Sequence, residues 1–506
     1  MGRDVQPCRS GLMAATFEAC LAEWARATPG AVALVDSTVS LTYGDLEARV
    51  ARVAAGLAAL QLGAAPRVVV IAENSVSHLA TAFAVWRSGA TLVTVYPSST
   101  TAEFEYALGH SRPAVVVAGE SVLPTLEPAA HAVDVPLLTL DAAGEIGGLP
   151  TGTADHTSVV DADGLALICY TSGSTARPKA VMHSHRGLLA AARAYAAVWH
   201  LGADDVNLVS MPLAWAFGLV TTSMATLTAG GRVVLFGRSD PRSLLAGFAA
   251  HDVTFFAGVT TMFVRMVEAM ENDAGVPRPD TLRLCISGGE PRNEVAFGRW
   301  LQLTGCPVHD VYAASECFPV VTYDPTVDPL PRPGSAGRVV PQAQLRIGEG
   351  GEAWVRGPAL MLGYWEDPAM TAASLTDDGW YRTGDLVEID PDGYVRVLGR
   401  LSDVIIRAGA NVSPAEVEAV LVRHPQVGEA AVVGMPDAVN GEEVVAAVVA
   451  GAGIERVDIE EVDAHCTAAL AGYKRPRIVV VRHLPRNATG KVDRRQLKAL
   501  LTQDSR

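Results

Sequence analysis

The stretch YTSGSTARPKAVMHSH, residues 170–185, follows the apolar run LALIC and contains a loop with a lysine and several hydroxyl side chains. Hydroxyls and exposed backbone N–H groups can donate to phosphate oxygens. The stretch is not a Walker loop, because no second glycine precedes Lys179 and because Ala180 follows it in place of Ser or Thr. On its own it is typical either of a phosphate-binding loop or of an ordinary strand–turn–helix connection.

Short apolar runs alternate with helix-patterned segments on both sides of this stretch. Ser75 is placed to cap the first helix-patterned segment that follows such a run. The alternation predicts an α/β fold whose large N-terminal domain contains doubly wound subdomains with mainly parallel sheets. The runs typical of strands are residues 68–74, 91–97, 114–119, 165–170, 206–212, 232–237, 253–259 and 282–288.

The pattern changes after about residue 330, where short β segments at 351–357 and 393–400 are separated by turn residues. A helix is predicted to begin after Ser413, with Pro414 at its first position and Glu416 completing a capping box. Strand-like runs follow at 430–436 and 442–450. We therefore expect an N-terminal domain of residues 1–400 and a small, mobile α+β domain of residues 401–506.

The composition is that of a globular protein with more than one folding unit. The chain has 506 residues, 49% of them apolar and 19% charged, with a formal net charge of −15. This length exceeds one compact core, so two or more units are expected. No dense Lys/Arg block occurs, which argues against a nucleic-acid partner.

The cysteines and the N-terminus favour a cytoplasmic protein. The seven cysteines are scattered without a CxxC pair, so neither a disulfide framework nor a zinc site is expected. The N-terminus has no apolar signal-peptide core. No apolar run reaches the roughly 18 residues that would predict a membrane span.

Seven further stretches match one set of motifs in order: MPLAWAFGL (211–219), SGGEP (287–291), VYAASE (311–316), GEAWVRGPALMLGYW (351–365), DGWYRTGDL (378–386), GRLSDVIIRAGANVSPAEVE (399–418) and LPRNATGKVDRRQL (484–497). Together with residues 170–185 they resemble the motifs of the adenylate-forming superfamily, which includes acyl-CoA synthetases, peptide-synthetase adenylation domains and luciferases. The resemblance covers nearly the whole chain and is strong for free-standing acyl-CoA synthetases.

The resemblance implies an enzyme that uses ATP and Mg²⁺ to convert a carboxylic acid into acyl-AMP and pyrophosphate. A thiol, from CoA or a phosphopantetheine arm, then displaces AMP. Because two anions must meet in the first step, cationic and metal charge has to offset their repulsion.

Three residues are implied to be catalytic. Glu316 is expected to hold Mg²⁺, a hard cation suited to carboxylate oxygens. Arg400 is expected to approach the nucleotide from the linker between the domains, and Lys491 to bridge the substrate carboxylate and the α-phosphate. Ser402 occupies the pivot position, where the family usually has Asp or Lys, and remains compatible with rotation of the small domain.

The resemblance also implies a set of cofactor-binding positions. Tyr312 is expected to stack on adenine, Asp310 to accept from the adenine amino group, and Asp385 to accept from both ribose hydroxyls. Gly409 is expected to leave room for the pantetheine arm. The other expected nucleotide and phosphate positions are Thr171, Ser172, Gly173, Ser174, Thr175, Lys179, Gly289, Glu290 and Ser315.

The acid is expected to be uncharged and of short or medium length, either aliphatic or aryl. Trp215 stands where members that activate amino acids carry Asp, so an α-amino acid is not expected. Val311 should shorten the pocket, because many members have Gly or Ala there. The expected pocket lining is apolar and contains no charge: Trp215, Ala216, Phe217, Val259, Gly288, Val311 and Ala314.

Several alternatives remain open at this point. CoA is the expected acceptor, and an acyl carrier protein is the close alternative. Lys474 and Arg475 are equally typical of contacts to the acceptor and of ordinary surface charge. A luciferase-like oxygenase and a non-catalytic acyl-binding protein are less favoured, the latter because Lys491, Glu316, Asp385 and Arg400 are all present. Ala176 and Ala180 replace family glycines, and Ala176→Gly is expected to retain adenylation.

Overall fold

A computed structural model describes residues 14–152, 160–171, 178–237, 240–437, 439–451, 453–486 and 492–503. The helices in these ranges are α1 (Phe17–Ala27), α2 (Tyr43–Ala59), α3 (Val76–Arg87), α4 (Thr101–Ser111), α5 (Leu123–Ala132), α6 (His185–Val198), α7 (Ala225–Thr228), α8 (Pro241–His251), α9 (Thr260–Asn272), α10 (Glu294–Thr304), α11 (Pro368–Ser374), α12 (Pro414–Leu421), α13 (Ile459–Ala469) and α14 (Arg494–Gln503). A π-helix (Phe217–Met224) leads into α7, and single 3₁₀ turns occur at Glu120–Val122, Glu349–Gly351, Leu401–Asp403 and Gly472–Lys474.

The strands in the same ranges are β1 (Val32–Val35), β2 (Ser40–Thr42), β3 (Arg67–Ile71), β4 (Thr91–Thr94), β5 (Val115–Gly119), β6 (Leu137–Leu140), β7 (Ile146–Gly147), β8 (Leu165–Thr171), β9 (Lys179–Ser184), β10 (Val206–Val209), β11 (Arg232–Leu235), β12 (Phe255–Gly258), β13 (Leu284–Gly288), β14 (Val308–Ala314), β15 (Cys317–Thr322), β16 (Gly337–Val339), β17 (Gln344–Ile347), β18 (Glu352–Arg356), β19 (Ala359–Leu360), β20 (Gly363–Tyr364), β21 (Tyr381–Ile389), β22 (Tyr394–Arg400), β23 (Ile405–Arg407), β24 (Ala410–Val412), β25 (Val427–Asp437), β26 (Gly441–Ala450) and β27 (Arg477–Val480).

These strands form three sheets. The largest follows the order β17-β18-β21-β22-β16-β15-β14-β13-β12-β10-β11-β1-β2, with β19 on β15, and is parallel from β14 to β1. The second follows β20-β9-β8-β4-β3-β5-β6-β7 and is parallel from β8 to β6. The third follows β24-β23-β26-β25, with β27 on β26, and belongs to the C-terminal region. This architecture confirms the predicted α/β class with a large N-terminal and a small C-terminal domain.

The main core lies between the two large sheets. Its buried residues come from both sheets, for example Val68 of the second and Leu34 of the first, and from helix α3. Because α3 is covered on all sides, its residues from Val76 to Trp86 are buried. The indole Nε1 of Trp86 donates to the carbonyl of Ala166, which satisfies its polar group inside this core. The two sheets are therefore held in one rigid unit around the helix.

Local sequence signals located the element starts better than their ends. The predicted strand at 68–74 ends at Ile71 and that at 206–212 ends at Val209, because apolar residues continue into the buried loops that follow. Ser75 and Ser413 cap their helices as predicted. Glu416 does not complete the predicted capping box, because its carboxylate pairs with Lys474 Nζ at 2.6 Å. Lys474 is thus engaged in an ion pair within the small domain.

The loop within residues 170–185 connects two antiparallel strands, β8 and β9, in which Tyr170 pairs with Ala180. The strand–turn–helix interpretation of this connection was therefore wrong, and helix α6 begins only after β9. No helix among the described residues has the length and apolarity that crossing a membrane requires.

Candidate active site

A cavity of about 590 Å³ lies at the carboxyl ends of β13 and β14. In α/β sheets, ligands commonly bind in crevices of this kind. The β8–β9 hairpin, the π-helix, strand β21 and the end of β22 complete its wall. The structure brings together on this wall many of the residues that the sequence singled out: Thr171, Lys179, Trp215, Ala216, Phe217, Gly288, Gly289, Val311, Ala314, Ser315, Glu316, Arg400 and Ser402.

The other predicted positions divide into two groups. Ser172, Gly173, Ser174, Thr175 and Lys491 lie outside the described residues, as does Ala176. Val259, Glu290, Asp310, Tyr312, Asp385 and Gly409 are described but do not line the cavity. Their roles stay predictions, and their contacts show how several of them support the wall.

Asp385 joins the cavity wall to the linker between the domains. Its Oδ1 lies 3.0 Å from Arg400 Nε, and its Oδ2 accepts from the Tyr312 hydroxyl at 2.8 Å. Asp385 and Arg400 are also direct partners across the antiparallel strands β21 and β22. The Asp385 charge raises the pKa of Arg400, and burial raises the pKa of Tyr312. The guanidinium is therefore a fixed cation at the cavity, and the phenol stays protonated.

Glu316 places a buried carboxylate on the cavity wall. Its Oε1 accepts from the Tyr364 hydroxyl at 2.8 Å, and the ring of Tyr364 lies 5.2 Å from Lys179 Nζ. Among the described residues no group of three or more His, Cys, Asp or Glu side chains is arranged for a metal. A magnesium ion would therefore take one protein carboxylate together with phosphate and water oxygens, an arrangement that this ion commonly adopts. Glu316 fits that requirement.

His183 of β9 fixes the backbone next to Glu316. Its Nε2 lies 2.7 Å from the carbonyl of Ser315, and its ring packs against Phe318 with centroids 5.1 Å apart. Burial lowers the pKa of His183 to about 4, so the ring is neutral near pH 7. The contact to a carbonyl requires the proton on Nε2, which leaves the buried Nδ1 without a partner among the described residues. The hairpin that carries Lys179 is in this way tied to the Ser315–Glu316 turn.

The cavity wall around Gly288 is apolar and tightly packed at one point. A Cβ atom added to Gly288 would lie 2.6 Å from Val311 Cγ1 and 3.5 Å from the ring of Phe217. The rings of Trp215 and Phe217 meet edge to face with centroids 5.3 Å apart. The side chain of Val311 thus fills the space beside Gly288, and its effect on the length of the acyl pocket stays a prediction.

Asp310 is turned away from the cavity. Its carboxylate pairs with Arg292 Nη1 at 2.5 Å, and its carbonyl accepts from the Thr322 hydroxyl at 2.7 Å. Burial raises the pKa of Asp310 to about 7, against the lowering effect of Arg292. In this arrangement the carboxylate supports β14 through Arg292, and its role toward adenine stays a prediction.

The small domain reaches the large one at Glu290. Its Oε2 accepts from the backbone N and the hydroxyl of Thr261 at 2.7 and 2.8 Å, and its Oε1 lies 3.6 Å from Arg486 Nη1. Gly409 lies in a tight turn with φ +82°, and a Cβ there would meet no atom within 4 Å. Arg486 is therefore held beside the large domain at Glu290, while the turn at Gly409 has open space around it.

Some residues on the wall were missed by the sequence interpretation. Glu352 and Arg382 stand in quoted motifs, and Tyr96 lies near the end of the predicted strand 91–97, so their proximity to the site could have been inferred. Tyr195 carries no local signal, because it reaches the cavity from α6 through the topology alone. Its hydroxyl lies beside that of Thr221, and burial raises its pKa.

Comparison with known proteins matches two family models to the chain. Residues 21–365 match the AMP-binding enzyme model, and residues 416–491 match the AMP-binding enzyme C-terminal domain. Feruloyl-CoA synthase from an Amycolatopsis species is 35% identical over 490 residues, which cover 92% of this chain and 95% of that protein. The mitochondrial malonate–CoA ligase of Homo sapiens is 29% identical over 522 residues, covering 92% and 89%.

The solved structure of ATP-bound MatB from Rhodopseudomonas palustris aligns with a TM-score of 0.87 and 30% identity, covering 98% of this chain and 100% of that chain. The motifs, the architecture and both matched models agree along the chain. This protein therefore belongs to the AMP-binding enzyme family, within the adenylate-forming superfamily that its motifs predicted.

Proposed function

We propose that this enzyme uses ATP to activate a carboxylic acid that has no charge apart from its reacting carboxylate, and transfers the acyl group to CoA. The observation that carries the proposal is one cavity that combines Lys179, Arg400 and the carboxylate of Glu316 with an apolar pocket around Val311 and Phe217. A charged region and an apolar region in one cavity suit a substrate whose carboxylate meets a polyphosphate while its remainder avoids water.

In the first step a carboxylate oxygen attacks the α-phosphorus, the bond to pyrophosphate breaks, and acyl-AMP forms. Arg400 and Lys179 supply positive charge at the cavity, which offsets the repulsion between the two anions. Glu316 would hold Mg²⁺, which when bound neutralises phosphate charge. Asp385, which holds Arg400 and Tyr312, would receive the ribose hydroxyls. In the second step the thiol sulfur attacks the acyl carbon, and AMP leaves.

The walls around the acid support an uncharged aliphatic or aryl substrate of short or medium length. Trp215, Phe217 and Val311 supply apolar surface, and Tyr195 and Thr221 of the same cavity carry neutral hydroxyls. A second carboxylate, as in malonate, would find no cation among these five residues, and an unpaired buried charge is strongly unfavourable. Among the relatives, the name feruloyl-CoA synthase fits this pocket better than malonate–CoA ligase does.

The acceptor and the location are proposed on narrower grounds. CoA is favoured because the related ligases are named for it. We retain the cytoplasm as the location, since no disulfide joins cysteines among the described residues, as in a reducing compartment.

One experiment tests the proposal. The protein is incubated with ATP, Mg²⁺ and pooled acids. Half of the acids are monocarboxylic with no other charged group, and half are dicarboxylic. Acyl-adenylates are then identified by mass. Uncharged acyl-AMP species, converted to thioesters on addition of CoA but not of holo-carrier protein, would support the proposal. Adenylates of dicarboxylic acids alone would contradict the assigned acid class, and conversion only by holo-carrier protein would contradict the assigned acceptor.

A variant separates the two half-reactions. Lys491→Ala is expected to reduce adenylation sharply while leaving transfer from supplied acyl-AMP to CoA largely intact, because the lysine charge acts on the α-phosphate in the first step. Equal losses in both steps would contradict this role for Lys491.

A further inference from the structure

Arg382 lies at the edge of the cavity in a row of alternating arginine and tryptophan side chains. Across strands β17, β18 and β21, Arg346 pairs with Trp354 and Trp354 pairs with Arg382 in the antiparallel registers. The Cζ atoms of Arg346 and Arg382 lie 4.9 and 5.0 Å from the centroid of the Trp354 ring. The indole therefore holds two cations, one on each neighbouring strand.

The ring that supports Arg382 is itself fixed. Trp354 Nε1 donates to Glu352 Oε2 at 2.7 Å, and the backbone N of Gly384 donates to Glu352 Oε1 at 2.8 Å. Glu352 thus links the indole to strand β21 on the other side of Arg382 and lines the same cavity. A guanidinium resting on such a ring has few accessible orientations, so less entropy is lost when it binds a ligand.

The two arginines of the row differ in their counter-charges. Arg346 pairs with Asp378 at 3.3 Å and lies away from the cavity wall. Arg382 is exposed on that wall, and no carboxylate of the described residues forms an ion pair with it. The nearby Glu352 carboxylate is already engaged by the indole and by a backbone N–H. The row therefore leaves one oriented cation facing the cavity, with its hydrogen-bond donors available.

We propose that Arg382 binds a phosphate group of a substrate at the mouth of the cavity. The planar fork of a guanidinium matches two oxygens of a phosphate, and a positioned arginine forms stronger contacts than a mobile one. The inference rests on the proposed function, which supplies two phosphate-bearing substrates: the polyphosphate of ATP and the phosphates of CoA. Both offer the same chemistry to Arg382.

Direct binding measurements distinguish the two sources. Titration calorimetry with Mg-ATP, AMP and CoA is carried out separately on the wild type, on Arg382→Ala and on the matched control Arg346→Ala. We expect Arg382→Ala to weaken binding of one phosphate ligand by about tenfold, the scale of one charge-assisted hydrogen bond. Arg346→Ala should leave all three affinities within about twofold, because Arg346 already has a counter-ion.

The pattern across ligands identifies the phosphate. Loss for Mg-ATP alone places Arg382 at the β- or γ-phosphate, loss for both ATP and AMP places it at the α-phosphate, and loss for CoA alone places it at the thiol donor. Arg382→Lys should restore part of the lost affinity, because lysine restores the positive charge but lacks the planar pair of guanidinium donors. Affinities of Arg382→Ala that match the wild type for all three ligands would overturn the inference, as would an equal loss in Arg346→Ala.

The readout does not depend on turnover. A wild type that binds ATP and CoA but forms no acyl-AMP would refute the proposed function and leave the Arg382 result standing. A wild type that forms acyl-AMP, with an Arg382→Ala variant of unchanged affinities, would refute only the inference about Arg382. Circular dichroism and the melting temperature confirm that each variant is folded, and Arg382→Gln replaces Arg382→Ala if the latter is not.

Discussion

Arg400 Nε lies 3.0 Å from Asp385 Oδ1, so the last residue of β22 is anchored to the carboxylate expected to bind the ribose. The other oxygen of Asp385 accepts from the Tyr312 hydroxyl. Each carboxylate oxygen can accept more than one hydrogen bond, so ribose hydroxyls would share Asp385 with these two partners. A bound nucleotide would therefore be joined through one carboxylate to Arg400 at the end of β22.

Asp385→Asn should impair nucleotide use more than acid use. The amide keeps the size of the side chain but loses the charge that holds Arg400 and receives hydroxyl donors. We expect kcat/KM for ATP to fall about a hundredfold, equivalent to about 3 kcal/mol. Pyrophosphate exchange at varied ATP concentration measures this value. Asp378→Asn, which removes an exposed carboxylate paired with Arg346, serves as the control. An unchanged kcat/KM for ATP in Asp385→Asn would show that this carboxylate is not used.

Glu316→Gln should make adenylation dependent on higher magnesium concentrations. Loss of a charged oxygen ligand weakens the site, so the Mg²⁺ concentration for half-maximal rate should rise by about tenfold or more. The rate of acyl-AMP formation is measured across a Mg²⁺ titration. Tyr364→Phe removes only the hydroxyl that donates to Glu316 and should change the titration much less. If both variants shift it equally, Glu316 acts by supporting the wall and not by holding the ion.

Val311→Ala should shift the preference toward bulkier acids. The substitution removes two methyl groups next to Gly288, each worth about 0.8 kcal/mol of apolar contact. We expect kcat/KM for a small acid to fall and that for a larger acid to rise, changing their ratio by about tenfold. A series of acids of increasing width gives this ratio. Val308→Ala, buried on the same strand away from the cavity, should leave it unchanged. A ratio that moves equally in both variants would mean that Val311 does not limit the pocket.

His183 should make folding stability depend on pH in the acidic range. Its pKa is lowered from 6.5 to about 4, so the folded protein binds fewer protons than the unfolded chain between these values. The stability it contributes is present above pH 6.5 and is lost as the pH falls toward 4. Relative to His183→Asn, the wild-type free energy of unfolding should fall by about 1.4 kcal/mol per pH unit in that window.

Urea unfolding of both proteins at several pH values measures this difference. His78, whose pKa is also lowered to about 4 by burial, is present in both proteins and cancels in the comparison. A difference that stays constant from pH 7 to pH 4 would contradict the buried, neutral state of His183.

The sequence predicted features whose signals are local. Ser75 and Ser413 cap helices because their side chains need only the backbone three residues ahead. The motif residues Glu316, Lys179 and Arg400 meet in one cavity, because Glu316 lies in the turn after β14, Lys179 begins β9 and Arg400 ends β22. The order of the motifs was sufficient for this part of the site.

Features that depend on side-chain direction or register could not be predicted. Asp310 lies in the expected motif, but its carboxylate pairs with Arg292 and does not line the cavity. Tyr195 reaches the wall from a helix without any motif. The support of Arg382 by Trp354 depends on the register of β18 and β21, which no short pattern in either strand specifies. The carboxylate of Glu416 similarly pairs with Lys474, far along the chain, and does not bond to the start of its own helix.

The contact between Arg486 and Glu290 has a consequence for the timing of the reaction. In this arrangement Arg486 is held at the large domain, while Gly409 does not line the cavity and a Cβ placed on it would meet no atom within 4 Å. On the proposed function, bringing Gly409 to the adenylate would require the small domain to move, and that movement would break the contact between Arg486 and Glu290. The two chemical steps would then take place in two different positions of the small domain. The acceptor thiol would enter only after acyl-AMP has formed.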